Sequence, residues 1–189
     1  AMNQPPLHLD AILETRLDWK FKIVPPHLYG LRLGDIASAA LELGDEAFAL
    51  PAALIRDDVL ARNSTWMRRF LAHSGASIAP HGKTTMAPQL FQRQLDDGAW
   101  GLTAATPAHL RVYRRHGVQR IFYANQLIGL ADILWVLDEM ARDPAFDFYC
   151  LVDSEAGLER LRHAIALRPA ARTLQVLLEV GASGGRTGV

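Results

Sequence analysis

The stretch that decides the fold runs from Trp100 to Gln126 and reads "WGLTAATPAHLRVYRRHGVQRIFYANQ". It opens with a short apolar run, after which Thr106 and Pro107 supply the cap and the first-turn proline of a helix start. Gly117 stands where a helix end favours glycine, and the next apolar run, "RIFYAN", follows at once. The pattern predicts strand, helix and strand, which is the βαβ unit of a parallel sheet.

The same alternation extends in both directions from this unit. Upstream, "FALPAALI" leads to "RDDVLARNSTWMRRFLAHSG", and "ASIAP" leads to "APQLFQRQLDDG". Downstream, "FDFYCLV" leads to "DSEAGLERLRHAIAL", and "TLQVLLEV" leads to "GASGGRTGV". The apolar runs lack clean period-two alternation, which predicts strands covered on both faces. The inward stripes expected for three of the helices are Val59, Leu60, Trp66, Met67, Phe70 and Leu71; Leu130, Ile133, Leu134, Leu137 and Ala141; and Leu158, Leu161 and Ile165.

Two α/β architectures fit this alternation, a doubly wound open sheet and a (β/α)8 barrel. Five strands are expected after "FALPAALI", and the periodicity does not separate the two folds. Polar side chains gather where the strands end, and in both folds ligands bind at that edge. These strand-end residues are His81, Lys83, Thr103, Asn125, Gln126, Asp153 and the segment 179–186.

Residues 1–45 do not follow the alternation. "HLDAILETRLDWK" predicts an amphipathic helix, and "VPPHLYGLRLG" is typical of an irregular linker. We therefore expect an N-terminal extension at residues 1–45 that packs on a main body at residues 46–189.

Composition narrows the class of partner and the cellular compartment. Among 189 residues, Lys plus Arg and Asp plus Glu number 20 each, so charge gives no reason to expect nucleic acid or a membrane surface. No apolar run approaches the roughly 18 residues of a membrane span, and the start lacks the regions of a signal peptide. Cys150 is the single cysteine, which excludes an intrachain disulfide and favours a reducing compartment. We expect a cytoplasmic protein.

The stretch "PHGKTT", residues 80–85, raises the question of what Lys83 does. A phosphate-binding loop, G-x-x-x-x-G-K-[ST], needs a glycine at position 77, where this chain has Ser77. Pro80 also stiffens a turn that would have to present free N–H groups. Covalent chemistry is the alternative, because a lysine at the mouth of an apolar site is a competent Schiff-base nucleophile. Position alone also fits a solvated loop lysine.

Two other stretches are candidates for ligand contacts. The glycines of "EVGASGGRTGV" allow close backbone approach to a ligand, and Arg186 supplies a fixed cation among them, although a flexible loop also fits. In "YANQLIG", Asn125 and Gln126 could bond a planar ring or a carboxylate, or simply satisfy a turn. The seven histidines form no ligand pattern, so we expect no metal site in this chain.

Taken together, these motifs resemble a known enzyme family. Pro80-His81-Gly82-Lys83-Thr84 matches the P-H-x-K-T stretch of the alanine-racemase-like (fold type III) pyridoxal-phosphate enzymes, in the branch of the D-serine deaminases (dehydratases) and D-threonine aldolases. "YANQLIG", "LVDSEAGL" and "LLEVGASGGRTGV" resemble the family's next landmarks, in the same order and spacing. The similarity covers residues 46–189.

The resemblance implies a (β/α)8 TIM-type barrel followed by a C-terminal β domain. By that measure the chain holds about the first five barrel strands and lacks the C-terminal domain. It also implies pyridoxal 5'-phosphate as cofactor, a small-molecule D-amino acid as substrate and a homodimer for the complete protein. The branch's divalent metal, zinc or manganese, would be bound by a histidine with a cysteine or an aspartate in the part that this chain lacks.

The resemblance also assigns roles to individual residues. Lys83 would hold the cofactor as a Schiff base and then act as the base at the substrate's α-carbon, and Arg186 would face the cofactor's phenolate oxygen. His81 would orient the lysine or the ring, and Asn125 would contact the ring edge. Gly82 departs from the alanine often found between histidine and lysine in the family.

Three reactions stay open: elimination of water, retro-aldol cleavage and racemisation. The sequence "PHGKTTMAPQLFQRQLDDGAWG" resembles the bacterial deaminases more than the aldolases. Deamination of a D-serine-like hydroxy amino acid to a keto acid and ammonia is therefore the favoured prediction. A D-threonine-type aldolase, an amino-acid racemase and a non-catalytic pyridoxal-phosphate-binding regulatory barrel are the alternatives.

Overall fold

The protein is described by a computed structural model that covers residues 4–42, 44, 48–185 and 187–188. Within these residues, four strands form one parallel sheet: β1 (Leu102–Ala104), β2 (Arg120–Gln126), β3 (Asp147–Val152) and β4 (Gln175–Leu178). The helices are α1 (Asp10–Leu13), α2 (Asp57–Ser74), α3 (Pro88–Asp96), α4 (Pro107–Arg115), α5 (Leu130–Arg142) and α6 (Glu155–Leu167). Three short 3-10 helices occupy Pro26–Leu28, Leu33–Ala39 and Gly82–Thr84.

The strand order in the sheet is β1-β2-β3-β4, and every neighbouring pair is parallel. A helix connects each strand to the next. Parallel crossovers are almost always right-handed, so a sheet that grows in one direction carries all of its connecting helices on one face. A doubly wound sheet reverses direction at a switch point, whereas these strands follow the order of a barrel wall.

"ASIAP", the first of the five strands expected after "FALPAALI", forms only the start of a ladder. The amide of Trp100 donates to Ile78 O at 2.8 Å, and the amide of Thr103 donates to Pro80 O at the same distance. One parallel bridge joins His81 to Thr103. Residues 78–81 therefore run beside β1 in the position of a preceding strand.

The two faces of the sheet differ in burial. Ile121 and Tyr123 of β2 and Phe148 and Cys150 of β3 are buried, whereas the residues between them are partly exposed. Alternate residues of a strand point to opposite faces, so one face packs beneath helices and the other is only partly covered. The expectation of strands covered on both faces was therefore wrong for β2 and β3. In β4 all four residues are exposed.

The predicted start and end of α4 are confirmed, but parts of the predicted apolar stripes were wrong. Thr106 caps α4 by accepting a hydrogen bond from the His109 amide, and Pro88 and Pro107 lie in first turns. The buried stripe of α5 consists of Ile133, Val136, Leu137 and Met140, with Glu139 beside it. Leu130 and Leu158 are exposed, and α2 buries none of its residues.

Two predictions in the first third of the chain were wrong. "FALPAALI", residues 48–55, forms no strand, and the helix expected in "HLDAILETRLDWK" is the single turn of α1. Two short 3-10 helices, one containing proline and one containing glycine, lie within or overlap the segment predicted as an irregular linker. An antiparallel bridge between Arg16 and Arg32 closes this segment.

The chain divides into two compact units. One consists of residues 1–7 and 67–189, and the other of residues 8–66. Units of this kind need not coincide with domains, so the domain boundary between residues 45 and 46 stays a prediction. Among the described residues, no helix combines the length and the apolar character that crossing a membrane requires.

Candidate functional site

The lysine of the PHGKTT stretch lies on a turn at the carboxyl end of the sheet. Residues 78–81 run parallel to β1, and the chain then turns through the 3-10 helix Gly82–Thr84. The amides of Thr85 and Met86 both bond Gly82 O, the second at 2.9 Å. Met86 takes a left-handed conformation, with φ 46°, which few side chains adopt. The turn is thus held in one conformation by hydrogen bonds.

Lys83 lies on this turn and is exposed. Within the described part of the chain its amine has no hydrogen-bond or ion-pair partner. Thr84 and Thr85 beside it are exposed as well. An unpaired amine on a fixed turn is available to condense with a carbonyl group.

His81 is placed to influence the lysine. Desolvation lowers the pKa of His81, and the positive charge of Lys83 and the nearby His109 lower it further, although a hydrogen bond with the Thr103 backbone opposes this. The imidazole is therefore neutral at neutral pH and does not add a second positive charge beside the lysine. Its predicted role in orienting Lys83 stays a prediction.

A buried layer of residues supports the lysine turn from below. The ring of Tyr113, from α4, meets the ring of Phe91, from α3, edge to face at a centroid distance of 5.0 Å. Tyr113 Oη donates to Thr103 O at 3.1 Å, and Thr103 Oγ1 donates to Ala79 O at 2.5 Å. These bonds connect α4, β1 and the segment that leads into Lys83.

Asn125 lies at the end of β2, where its amide bonds the backbone on both sides. Its Nδ2 donates to Ala105 O at 3.2 Å, and its Oδ1 accepts from the Gln126 amide at 3.0 Å. Gln126 Nε2 donates to Glu179 Oε2 at 2.6 Å, which links the end of β2 to the segment after β4. Asn125 keeps unused donor and acceptor capacity, so the predicted contact with a cofactor ring stays a prediction.

A cavity of about 590 Å³ opens at the carboxyl ends of β1, β2 and β3. Its size suits a small organic molecule. Asn125, Gln126, Asp132, Asp153, Ser154 and Arg160 supply its polar lining, and His81 and Lys83 are not part of that lining. The structure thus places Asn125 in the cavity and places His81 with Lys83 on the neighbouring turn.

The glycine-rich segment after β4 folds back on itself. A Cβ atom on Gly181 would collide with the backbone of Thr187 and Gly188, so neither glycine tolerates a side chain there. Gly184 has φ 75°, and the Gly185 amide donates to Ala182 O at 2.7 Å. Arg186, predicted to face the cofactor, lies outside the described residues. No group of three or more His, Cys, Asp or Glu suited to a metal ion occurs within the described ranges.

Tyr113 was missed by the sequence reasoning. The signals that could have indicated it are Gly82, which replaces the family's usual alanine, and a tyrosine inside a buried helix stripe, which needs a polar partner for its hydroxyl. Neither signal says by itself that the two residues touch, because they are 31 positions apart in the chain.

Comparisons with known proteins agree with the motifs. No family model matches the chain. It is 27% identical over 123 residues to a D-threonine aldolase from an Arthrobacter species, and 27% identical over 139 residues to D-threo-3-hydroxyaspartate dehydratase from a Delftia species. These alignments cover 65% and 74% of this chain but 31% and 35% of the relatives. The chain therefore spans about a third of the length of the curated relatives it matches.

Solved structures show the same relationship. The D-threonine aldolase of Filomicrobium marinum matches with a TM-score of 0.67 at 22% identity, over 76% of this chain and 37% of that one. A variant of D-threo-3-hydroxyaspartate dehydratase in the metal-free form matches with a TM-score of 0.66 at 26% identity, over 75% and 36%. A second variant of that dehydratase matches with a TM-score of 0.69 at 25% identity, over 82% and 39%. By sequence and by fold, the chain is similar to the D-amino-acid branch of the alanine-racemase-like barrel enzymes, and the resemblance drawn from its motifs is confirmed.

Proposed function

We propose that this chain carries the cofactor-binding lysine of a pyridoxal-phosphate-dependent lyase that acts on D-configured β-hydroxy amino acids. The observation that carries the proposal is the amine of Lys83, unpaired within the described part of the chain, on a hydrogen-bonded turn at the carboxyl edge of a parallel sheet. The names of the relatives support the substrate class. D-threonine and D-threo-3-hydroxyaspartate are both D-amino acids with a hydroxyl on the β-carbon.

The residues present fit pyridoxal phosphate. Lys83 offers the amine that the cofactor's aldehyde needs, and neutral His81 adds no competing charge next to it. When bound, the cofactor withdraws electrons from the amino-acid α-carbon and so makes the proton on that carbon acidic. Lys83 would hold the cofactor covalently until an amino substrate displaces its amine.

Lys83 then has a second task. Its amine, once displaced by a substrate, would remain tethered to this turn and would be available to accept the proton of the α-carbon. We assign Arg186 to the cofactor's phenolate oxygen and Asn125 to the ring edge. His81 is assigned the orientation of the lysine.

Elimination is the favoured reaction for this site. The proton of the α-carbon and the β-hydroxyl leave together as water, and hydrolysis of the resulting imine gives a keto acid and ammonia. The similarity to the dehydratase supports this reaction. The similarity to D-threonine aldolases equally supports a second candidate, cleavage between the α-carbon and the β-carbon to glycine and an aldehyde.

The chain offers a clean test of the lysine, because Lys20, Lys22 and Lys83 are its only lysines. After incubation with pyridoxal phosphate and reduction with borohydride, we expect one stable adduct, located by peptide mass spectrometry at Lys83. Lys83→Ala should abolish it, because no other amine lies on the turn. Lys22→Ala is the matched control, since Lys22 is also exposed, and it should leave the adduct unchanged.

An adduct that persists in Lys83→Ala would refute the proposed function. Product analysis of the holoprotein then separates the reactions. D-serine or D-threo-3-hydroxyaspartate yielding a keto acid and ammonia supports elimination, whereas D-threonine yielding glycine and acetaldehyde supports the aldolase.

A further inference from the structure

We propose that Tyr113 is a positioning residue for Lys83, because its phenol packs under Gly82 and ties the lysine turn to β1. The proposal rests on the proposed function, since it concerns how this chain aims the amine that holds the cofactor. It extends that function to a residue on α4, far from the lysine in the sequence.

The first step is the fit between Gly82 and the aromatic rings beneath it. Gly82 is buried, and a Cβ atom built there would lie 2.7 Å from Phe91 Cε1 and 2.8 Å from Tyr113 Cζ, with Tyr113 Oη closer still. Such distances between atoms that are not bonded are far inside van der Waals contact. The phenol of Tyr113 therefore fills the space that a side chain at position 82 would need.

The second step is that Tyr113 itself cannot shift easily. It is 0% exposed, its hydroxyl donates to Thr103 O at 3.1 Å, and its ring contacts Phe91. The ring of His109 lies nearly parallel to the ring of Tyr113, with centroids 6.4 Å apart.

The third step connects this support to the amine. Gly82 O accepts the two amides that close the turn, so the position of Gly82 sets the direction in which Lys83 leaves it. Burial raises the pKa of Tyr113 to about 12, although the bond from the Gly82 amide opposes this. The phenol thus stays protonated and continues to donate to Thr103 O across the neutral range. A reactive group held in one direction by its supports reacts faster than a mobile one.

The experiment compares Tyr113→Phe with Tyr149→Phe. Tyr149 is the matched control, because its hydroxyl also bonds one acceptor, Asp147 Oδ2 at 3.1 Å, and its ring packs on Trp100 at 4.9 Å. The probes are pyridoxal phosphate and pyridoxal, which lacks the phosphate and so reports on the amine alone. For both probes we expect Tyr113→Phe to slow the formation of the borohydride-fixable Lys83 adduct by ~10-fold, the effect of one lost buried hydrogen bond. Tyr149→Phe should stay within about twofold of the original protein.

A glycine variant tests the same support without removing the hydroxyl. Gly82→Ala should displace the turn and slow adduct formation by at least ~10-fold, since the added methyl meets two buried rings. Gly44→Ala is the control, because a Cβ atom there meets no atom of the described residues within 4 Å and its φ lies outside the left-handed region. Circular dichroism of each variant shows that the comparison is made on folded protein, and if Tyr113→Phe does not fold, the Gly82→Ala result decides.

The outcomes separate the two proposals. If Lys83→Ala keeps the adduct, the proposed function fails and the role of Tyr113 fails with it. If Lys83→Ala loses the adduct while Tyr113→Phe and Gly82→Ala both react as fast as their controls, the positioning role is overturned and the function stands.

Discussion

Cys150 lies in the middle of β3 with no exposed surface, on the face of the sheet that the helices cover. Burial raises the pKa of its thiol to about 12. The thiolate is the reactive form of cysteine, so a thiol that stays protonated is a poor nucleophile and a poor metal ligand. Cys150 is therefore a small apolar residue of the core.

Cys150 should consequently be almost unreactive toward alkylating reagents in the native protein. We expect its alkylation by iodoacetamide at pH 8 to be roughly a thousandfold slower than that of an exposed cysteine. Little of the buried thiol is ionised at that pH, and the reagent has little access to it. Unfolding in urea should restore the ordinary rate. Because the chain has a single cysteine, mass spectrometry gives the rate without ambiguity. Rapid labelling of the folded protein would contradict this expectation. It would show that β3 separates from the sheet or that the helices packed over Cys150 move away from it.

At the scale of single residues, the sequence predicted the chemistry better than the geometry. The spacing of His81 and Lys83 predicted a lysine at a strand end, and the structure places it there with an amine that has no partner among the described residues. The support from Tyr113 was not predictable, since it depends on how α4 packs against a turn far away in the chain. Contacts between distant segments are a property of the fold, and no local pattern encodes them.

The helices show the same contrast between features that local sequence determines and features that depend on contacts with distant segments. Caps and breakers are local, so Thr106, Pro107 and Gly117 gave the bounds of α4 correctly. Apolar stripes depend on what covers them, and Leu130 and Leu158 turned out exposed although their spacing fits an inward face. Glu139 is a charged residue of α5, yet it is buried. The apolar pattern of the helix predicts that only apolar side chains are buried there.

Glu139 is buried because an arginine from α4 meets it. Arg114 Nε lies 3.0 Å from Glu139 Oε2, and both side chains are less than a tenth exposed. The same guanidinium reaches Asp143 at 2.7 Å, donates to Val118 O at 2.8 Å and lies over the ring of Phe146 at 4.2 Å. Burial works against ionisation of Asp143, but the hydrogen bonds from Arg114 and from a backbone amide outweigh it and hold its pKa below the ordinary value.

Arg114→Ala should lower the free energy of unfolding by ~3–5 kcal/mol, because it leaves a buried carboxylate with too few partners. Arg162→Ala is the control, since Arg162 pairs with Glu159 on the surface, where both side chains are about two-thirds exposed. The control should change stability by no more than ~0.5 kcal/mol. Urea unfolding followed by circular dichroism measures both. Equal, small effects would mean that Arg114 holds α4 and α5 together no better than a surface ion pair.

At the scale of the whole molecule, the strand order settles what periodicity left open. Doubly wound sheets and barrels share the same alternation, and only the pairing β1-β2-β3-β4 in one direction separates them. The missing strand in "FALPAALI" has the same cause, since an apolar run becomes a strand only where a neighbouring strand pairs with it. Local propensity cannot supply that neighbour.

The sheet ends at β4, whose residues are exposed on both faces. Val176 and Leu177 are 45% and 43% exposed, and Leu178 is 70% exposed. An apolar edge strand with unpaired backbone groups is a template for pairing with another chain. We therefore expect a protein of residues 1–189 to associate with itself through β4, and its apparent mass to rise with concentration in sedimentation velocity.

Leu178→Lys should suppress this association, because a charged side chain on an edge strand cannot be buried against a second copy without losing its hydration. Leu167→Lys is the matched control: Leu167 is also exposed, at 58%, but it ends α6 and does not lie on the sheet edge. The control should leave the association unchanged. If residues 1–189 are monomeric at every concentration, or if both lysine variants act alike, β4 is not the surface through which copies of the chain meet.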